Sequence, residues 1–266
     1  MSQKIIFMII IFAFTVGSCF QSIVPDSRKS FELKKECVGN IRTYIKNEEN
    51  KESIYNEIVI SKTDKENNIE YELLFTSFNG KKFYNHKYLK RCVNNKDFGW
   101  CEINNGVINI ISKAKINDSF YSVYSFDNHI LEEFGKVNDN SYNIYGKVDN
   151  EKAVTLYEIK GIYKIDELSC YKIIEEYITS KYSVYDITTK WYCDKLGLIA
   201  EFSEFKMEEK LFKAQICGID YNEEKIDKIV SAVEWNWTKE LVRELILIFK
   251  NAQKGARYEL KKELKM

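Results

Sequence analysis

Seven cysteines are the residues of this chain whose type and spacing could do chemistry. Cys19 follows the letters "TVGS" at the end of an apolar N-terminal run, and the others are spread along the chain as Cys37, Cys92, Cys101, Cys170, Cys193 and Cys217. Setting Cys19 apart leaves an even set, which is what paired disulfides in an exported protein require. We therefore predict disulfide bonds among the later cysteines and a separate role for Cys19.

The N-terminus has the order of an export signal. Lys4 is its only early charge, the apolar run Ile5 to Val16 follows, and Gly17 and Ser18 supply the small residues of a cleavage site. A helix made of that run would span about 18 Å, less than the roughly 30 Å of a bilayer's hydrocarbon core. Residues 1–18 are therefore predicted to be a signal peptide that is removed from an exported chain.

Val16-Gly17-Ser18-Cys19 resembles the signal of bacterial lipoproteins, in which an aliphatic residue and two small residues precede a cysteine. The resemblance implies that a diacylglycerol group alkylates the thiol of Cys19, that the preceding peptide is removed, and that an acyl chain such as palmitate is added to the new amino terminus. It also implies location in the cell envelope, bound to a membrane through the lipid. The alternative is ordinary secretory cleavage at the same small residues, which would leave a secreted protein and a plain cysteine.

The six later cysteines have a favoured pairing. Cys92 and Cys101 enclose turn-forming residues, and Cys170 and Cys193 flank a hairpin whose turn is expected at Ser180 and Lys181, which would place the two cysteines diagonally across it. Cys37 and Cys217 remain as the third pair, although six cysteines allow many other connectivities. The spacing is not that of a zinc site and no C-x-x-C occurs, so neither a metal site nor a redox-active pair is predicted.

The pattern of residues 31–221 predicts an antiparallel β domain. Short runs rich in Ile, Val, Tyr, Phe and Thr are separated by turn dipeptides such as Asn105-Gly106. In "DITTKWYC" the alternation places Trp191 and Cys193 on one face and Lys190 on the other, which predicts one buried and one wet face. The predicted fold is α+β and mainly β, with a large curved antiparallel sheet after a tether at residues 19–30.

Residues 222–266 change to a helical pattern. Asn222 is the expected cap, and Ile226, Val230, Val233, Trp237, Leu241, Leu245, Ile248 and Ala252 recur at steps of three and four. We expect this amphipathic helix to end at Gly255 and a short helix, Ala256 to Leu264, to follow. The helix has three candidate roles: covering the sheet, lying on a membrane surface, and pairing with a partner helix.

Motifs for catalysis are missing. The chain has no nucleotide loop, no G-x-S-x-G and no H-E-x-x-H, and His86 and His129 read as surface or turn residues. Adjacent acidic pairs, including Glu175-Glu176 and Glu208-Glu209, are interpreted as solvated ends of strands. Lys plus Arg equals Asp plus Glu at 40 each, which gives no support to a nucleic-acid partner. The sequence predicts no cofactor and no enzyme.

Two stretches resemble a repeated element of bacterial exported β-sheet proteins: "GIYKIDELSCYKI", Gly161 to Ile173, and "TTKWYCDKLGLIAEFSEF", Thr188 to Phe205. That resemblance implies the curved sheet of the envelope's lipoprotein carriers, with a concave apolar face able to take up an acyl chain, and carries over no active residue. The predicted function is a membrane-anchored, non-enzymatic lipoprotein that acts as a binding or envelope-structural module. The alternatives are a carrier of an acyl chain or other apolar ligand, and a plain secreted disulfide-bonded protein.

Overall fold

The computed structural model describes residues 23–26, 37–48, 51–65, 68–77, 87–94, 99–103, 106–112, 116–125, 131–137, 152–179, 184–203 and 206–263. Within them the chain forms one open, curved antiparallel sheet and a C-terminal helix, so the predicted fold class is confirmed. The strands are β1 Val24–Pro25, β2 Ile41–Glu48, β3 Lys51–Lys65, β4 Asn68–Ser77, β5 Lys87–Asn94, β6 Gly99–Ile103, β7 Gly106–Ser112, β8 Ser119–Ser125, β9 Leu131–Lys136, β10 Lys152–Ile165, β11 Leu168–Thr179, β12 Val184–Cys193, β13 Gly197–Ser203, β14 Lys206–Ile216 and β15 Ile219–Tyr221.

The strand order shows that β2 and β14 join two parts of the sheet, β2 to β7 on one side and β8 to β14 on the other. It runs β7-β6-β5-β4-β3-β2-β14-β13-β12-β11-β10-β8-β9, while β15 pairs with β14 and β1 pairs with β10. Most neighbours are consecutive in the chain, as hairpin connections require. The exceptions are β2 beside β14, β8 beside β10 and β1 beside β10, and the first of these pairings brings an early strand into the middle of the sheet.

The prediction that one face of the sheet is exposed to water is wrong for the central strands. Tyr171 and Ile173 of β11 are buried on one face, and Cys170 of the same strand is buried on the other. An apolar cluster lies on each face, and the cluster opposite the helix consists of Phe120, Tyr157, Ile159, Ile162, Tyr171, Ile173 and Tyr192. Strict alternation of apolar and polar residues fails here because both sides of the strands are covered.

Three local predictions need correction. The pair Thr179 with Val184 shows a register that differs from the one expected for a turn at Ser180 and Lys181, so Cys170 stands directly opposite Cys193 and not diagonal to it. Gly106 pairs with Ile103 as the first residue of β7, whereas the sequence placed it inside the turn. The predicted tether includes β1, which pairs with the second half of β10; Pro25 is tolerated there because an edge strand can lack one N–H group.

The helix α1, Glu223–Glu263, begins where the sheet ends. The side-chain oxygen of Asn222 accepts a hydrogen bond from the backbone N–H of Lys225 at 3.1 Å, which confirms the predicted cap. The helix continues through Gly255 as one element of 41 residues, so the predicted break there is wrong. One glycine costs about 1 kcal/mol inside a helix, which is too little to end one that is otherwise continuous.

The first half of α1 covers the sheet. Ile226, Ile229 and Val233 are buried in the apolar cluster on one face, and the Trp237 ring stacks on Phe202 of β13 with centroids 4.7 Å apart. An ion pair between Lys172 of β11 and Glu240 extends this contact toward β10. Of the three roles left open by the sequence, covering the sheet is therefore the role of this half.

Candidate functional site

A row of charged residues crosses four neighbouring strands of the sheet. Lys190 of β12 pairs with Glu201 of β13, Glu201 pairs with Glu209 of β14, and Glu209 pairs with Lys46 of β2. Directly opposed partners in an antiparallel sheet project to the same face. Phe202, next to Glu201, meets the helix on the opposite face, because successive side chains alternate.

Lys190 is held between two carboxylates. Its Nζ lies 2.7 Å from an oxygen of Glu175 and 3.5 Å from an oxygen of Glu201, and a fifth of its side-chain surface is exposed. Burial alone would lower the pKa of Lys190, but the charges of Glu175 and Glu201 outweigh it and hold the pKa well above its ordinary value. The amine therefore carries its proton at neutral pH.

Glu209 accepts a hydrogen bond from a tyrosine that lies two strands away in the sheet. The Tyr55 hydroxyl donates to a Glu209 oxygen at 2.6 Å, and the Tyr55 ring stacks on Tyr44 with centroids 5.4 Å apart. Burial and the neighbouring carboxylate of Glu209 raise the pKa of Tyr55 far above its ordinary value. Burial also raises the pKa of Glu209, although the hydrogen bond from Tyr55 opposes this. We call Lys190, Glu175, Glu201, Glu209 and Tyr55 the Lys190 cluster.

Two further tyrosines border the cluster. Tyr171 and Tyr192 are opposite each other on β11 and β12, and their rings stack with centroids 5.6 Å apart. Burial raises the pKa of both phenols above its ordinary value. Both rings belong to the apolar cluster opposite the helix, and Tyr192 is two positions from Lys190 on β12.

The chemistry open to the Lys190 cluster is limited. An ammonium held by two carboxylates has no free electron pair for nucleophilic or base catalysis. Among the residues that the structure describes, no group of three or more His, Cys, Asp and Glu side chains could hold a metal ion. The geometry suits a buried ionic network that fixes the register of β11 to β14.

A second buried ion pair joins β2 to β3. Arg42 of β2 lies 3.0 Å from Glu57 of β3, and its Nε donates to the carbonyl of Leu196 at 2.6 Å. Gly197, at φ +80°, leaves room for this contact, since a Cβ there would come within 3.2 Å of the Arg42 Nε. The arginine thereby joins β2 to the β12–β13 turn.

The cysteines with predicted roles fall into three groups according to what the structure shows of them. Cys37 is bonded to Cys217, 180 positions away, and Cys170 is bonded to Cys193, 23 positions away. Cys92 and Cys101 are directly opposite each other in the β5–β6 register, and their bond stays a prediction. Cys19 lies outside the described residues, as do His86 and His129.

The Lys190 cluster is what the sequence did not predict. Lys190 was assigned to a wet face, and Glu175 and Glu209 were interpreted as solvated ends of strands. A usable signal was present: Lys190 is followed by Trp191 and Tyr192 and lies in a strand of otherwise uncharged residues after Asp186. A lone charge among aromatic residues indicates a paired ion more often than a free one.

The segment before the folded body reaches the helix side of the sheet. Ile23 packs against the same apolar cluster as Trp237, and the Ser169 hydroxyl donates to Asp26 at 2.7 Å. The two disulfides described above are typical of a compartment outside the reducing cytoplasm. Within the described residues, no helix has the length and apolar character needed to cross a bilayer.

Comparisons with known proteins give one likeness. No protein-family model matches the chain, and no curated protein does. The chain is similar to a solved structure from Bacteroides fragilis, a candidate exported protein with a YmcC-like fold, at 12% identity and a TM-score of 0.34. The alignment covers 69% of this chain and 98% of that one, and at so low a TM-score it supports no conclusion about function.

Proposed function

We propose that the chain is an exported protein held at a membrane by a lipid on Cys19, and that its sheet is a non-enzymatic binding or envelope-structural module. The observation that carries this proposal is the partition of the cysteines. Cys37, Cys170, Cys193 and Cys217 are engaged in disulfides, and Cys92 and Cys101 face each other across two strands. Cys19 is the cysteine without a predicted disulfide partner, and it lies where a lipoprotein signal places the modified residue.

The charge state of the Lys190 cluster supports the non-enzymatic part. The pKa of Lys190 stays high because the charges of Glu175 and Glu201 outweigh the lowering effect of burial, and burial together with Glu209 raises the pKa of Tyr55, so both groups keep their protons at neutral pH. Neither group exchanges protons near neutral pH, which is what an acid–base catalyst has to do. An enzymatic turnover that disappears in the Lys190→Met variant, while the fold is kept, would contradict this part.

Partition between water and detergent tests the anchor. The full chain, with its signal, is produced in a bacterial host that processes lipoproteins, and the cells are extracted with a detergent that separates into a second phase on warming. We expect the parent in the detergent phase, because acyl chains add about 0.8 kcal/mol of transfer free energy per buried methylene. The Cys19→Ala variant should move to the aqueous phase.

Ser22→Ala is the matched control, since Ser22 lies three residues beyond Cys19 and outside the proposed signal. It should partition as the parent does. The proposal is contradicted if the parent stays in the aqueous phase, or if Cys19→Ala remains in the detergent phase.

A further inference from the structure

The second half of α1 leaves the sheet with apolar side chains exposed. Leu245 is 39% exposed, Leu247 58% and Ile248 62%, whereas Ile226 and Val233 in the first half are fully buried. Leu245 and Ile248 continue the same stripe that packs on the sheet earlier in the helix. We call residues 243–263 of α1 the distal helix.

The end of the chain is strongly basic. Residues 250–266 contain six Lys or Arg and two Glu, although the whole chain has no net charge. Lys250, Lys254, Arg257 and Lys261 follow one another at steps of four, three and four, so the helix places them on one side. An apolar stripe and a separate basic stripe on one helix are the features of a helix that lies in a membrane interface.

The distal helix starts beside the N-terminal segment. Glu240, three residues before it, pairs with Lys172 of β11, and after burial it is the next cause of the raised pKa of Tyr163. Tyr163 is the β10 partner of Pro25 in β1. Cys19 is four residues before Ile23, so even an extended chain keeps Cys19 within about 14 Å of Ile23.

We propose that the distal helix lies on the surface of an anionic membrane, with Leu245 and Ile248 toward the acyl chains and the basic residues toward the headgroups. The inference rests on the proposed function for its geometry, because the lipid on Cys19 would hold the start of the distal helix near the same bilayer. The basic stripe favours a lipid surface over a second copy of the chain, since two identical basic stripes repel each other.

Vesicle binding without the lipid tests the proposal separately from the anchor. The mature chain from residue 19 onward, with Cys19→Ser, is mixed with vesicles of phosphatidylcholine alone or with one third phosphatidylglycerol, and bound protein is measured by co-sedimentation. We expect at least about ten-fold tighter binding to the anionic vesicles, and most of that gain should be lost in 0.5 M salt, as a screened attraction requires.

Two variants and one control locate the surface. Lys250→Glu/Lys254→Glu/Arg257→Glu should reduce binding to the anionic vesicles at least about ten-fold, and Leu245→Ser/Ile248→Ser should weaken it several-fold. Lys206→Glu/Lys225→Glu/Lys228→Glu makes the same change in charge on exposed residues away from the distal helix and should bind as the parent does.

Three outcomes contradict the proposal, and a fourth separates it from the proposed function. The proposal is contradicted if the protein binds both kinds of vesicle equally or binds neither. It is also contradicted if the control variant Lys206→Glu/Lys225→Glu/Lys228→Glu loses as much binding as the variant of the distal helix. A concentration-dependent dimer that Leu245→Ser/Ile248→Ser abolishes would assign the stripe to a second copy. Failure of the lipid anchor in the detergent experiment, with vesicle binding intact, would overturn the proposed function but leave the basic helix as a membrane surface.

Discussion

Lys190 and Glu175 form an ion pair between β12 and β11, with the Nζ atom 2.7 Å from the carboxylate oxygen. Glu201 lies on the other side of the same ammonium at 3.5 Å. Removing the cation leaves two carboxylates close together and largely out of water, and the loss of one partner from a buried pair costs about 3 to 5 kcal/mol. Because a fifth of each side chain is exposed, Lys190→Met should lower the free energy of unfolding by about 2 kcal/mol.

Denaturation in urea measures this loss, with two matched variants. Lys190→Met/Glu175→Gln/Glu201→Gln should recover most of it, since the unpaired charges are gone. Lys206→Met removes an exposed cation that also pairs with a glutamate and should change stability by less than about 0.5 kcal/mol. A Lys190→Met protein as stable as the parent would show that the cluster does not hold the strands together.

Glu209 gives the fold a dependence on pH. Burial raises its pKa in the folded protein above that of the unfolded chain, so the folded state binds more protons between the two values. The free energy of unfolding should therefore fall as pH rises through the window that begins near the ordinary glutamate pKa. Glu209→Gln, which can still accept the Tyr55 hydrogen bond, should remove this fall.

The measurement is urea unfolding of both proteins from pH 4 to pH 7. The stability of Glu209→Gln relative to the parent should increase over that range. Glu208→Gln, at the neighbouring position, which has no partner in the β13–β14 register, should run parallel to the parent. A constant difference between Glu209→Gln and the parent at every pH would contradict the raised pKa.

The two described disulfides should contribute unequally. A disulfide stabilises mainly by restricting the unfolded chain, and the effect grows with the length of the loop that it closes. The bond between Cys37 and Cys217 closes 180 positions and should contribute about 5 kcal/mol; the bond between Cys170 and Cys193 closes 23 and should contribute about 3 kcal/mol.

Paired alanine variants, Cys37→Ala/Cys217→Ala and Cys170→Ala/Cys193→Ala, measured by guanidinium unfolding without reductant, check this order. Peptide mapping of the oxidised parent provides the connectivity and also tests the predicted bond between Cys92 and Cys101. Recovery of a peptide that links Cys37 to any cysteine other than Cys217 would contradict the structure.

The sequence predicted the class of the fold because its signals are local. Asn222 caps α1 as expected, and the steps of three and four from Ile226 to Trp237 identify the face that packs on the sheet. Cys37 and Cys217 could be matched only by elimination, and the structure explains the pairing by placing β2 next to β14. Such long-range pairing leaves no trace in a single strand.

The parts that the sequence missed depend on neighbours that only the fold supplies. Lys190 and Glu209 read as exposed charges until the register brings Glu201 between them. The register of β11 and β12 makes Cys193, and not Trp191, the partner of Cys170, which local turn chemistry did not reveal. Gly255 lies inside α1 because a single glycine is a weak helix breaker.

The mass of the mature N-terminus tests the central claim, lipid attachment at Cys19, most directly. The full chain is expressed in a host with lipoprotein processing, digested, and its N-terminal peptide analysed by mass spectrometry. The account predicts a peptide that begins at Cys19 and carries a diacylglyceryl group with or without an added acyl chain. An unmodified peptide beginning at Cys19, or a mature chain that begins at any other residue, would contradict it.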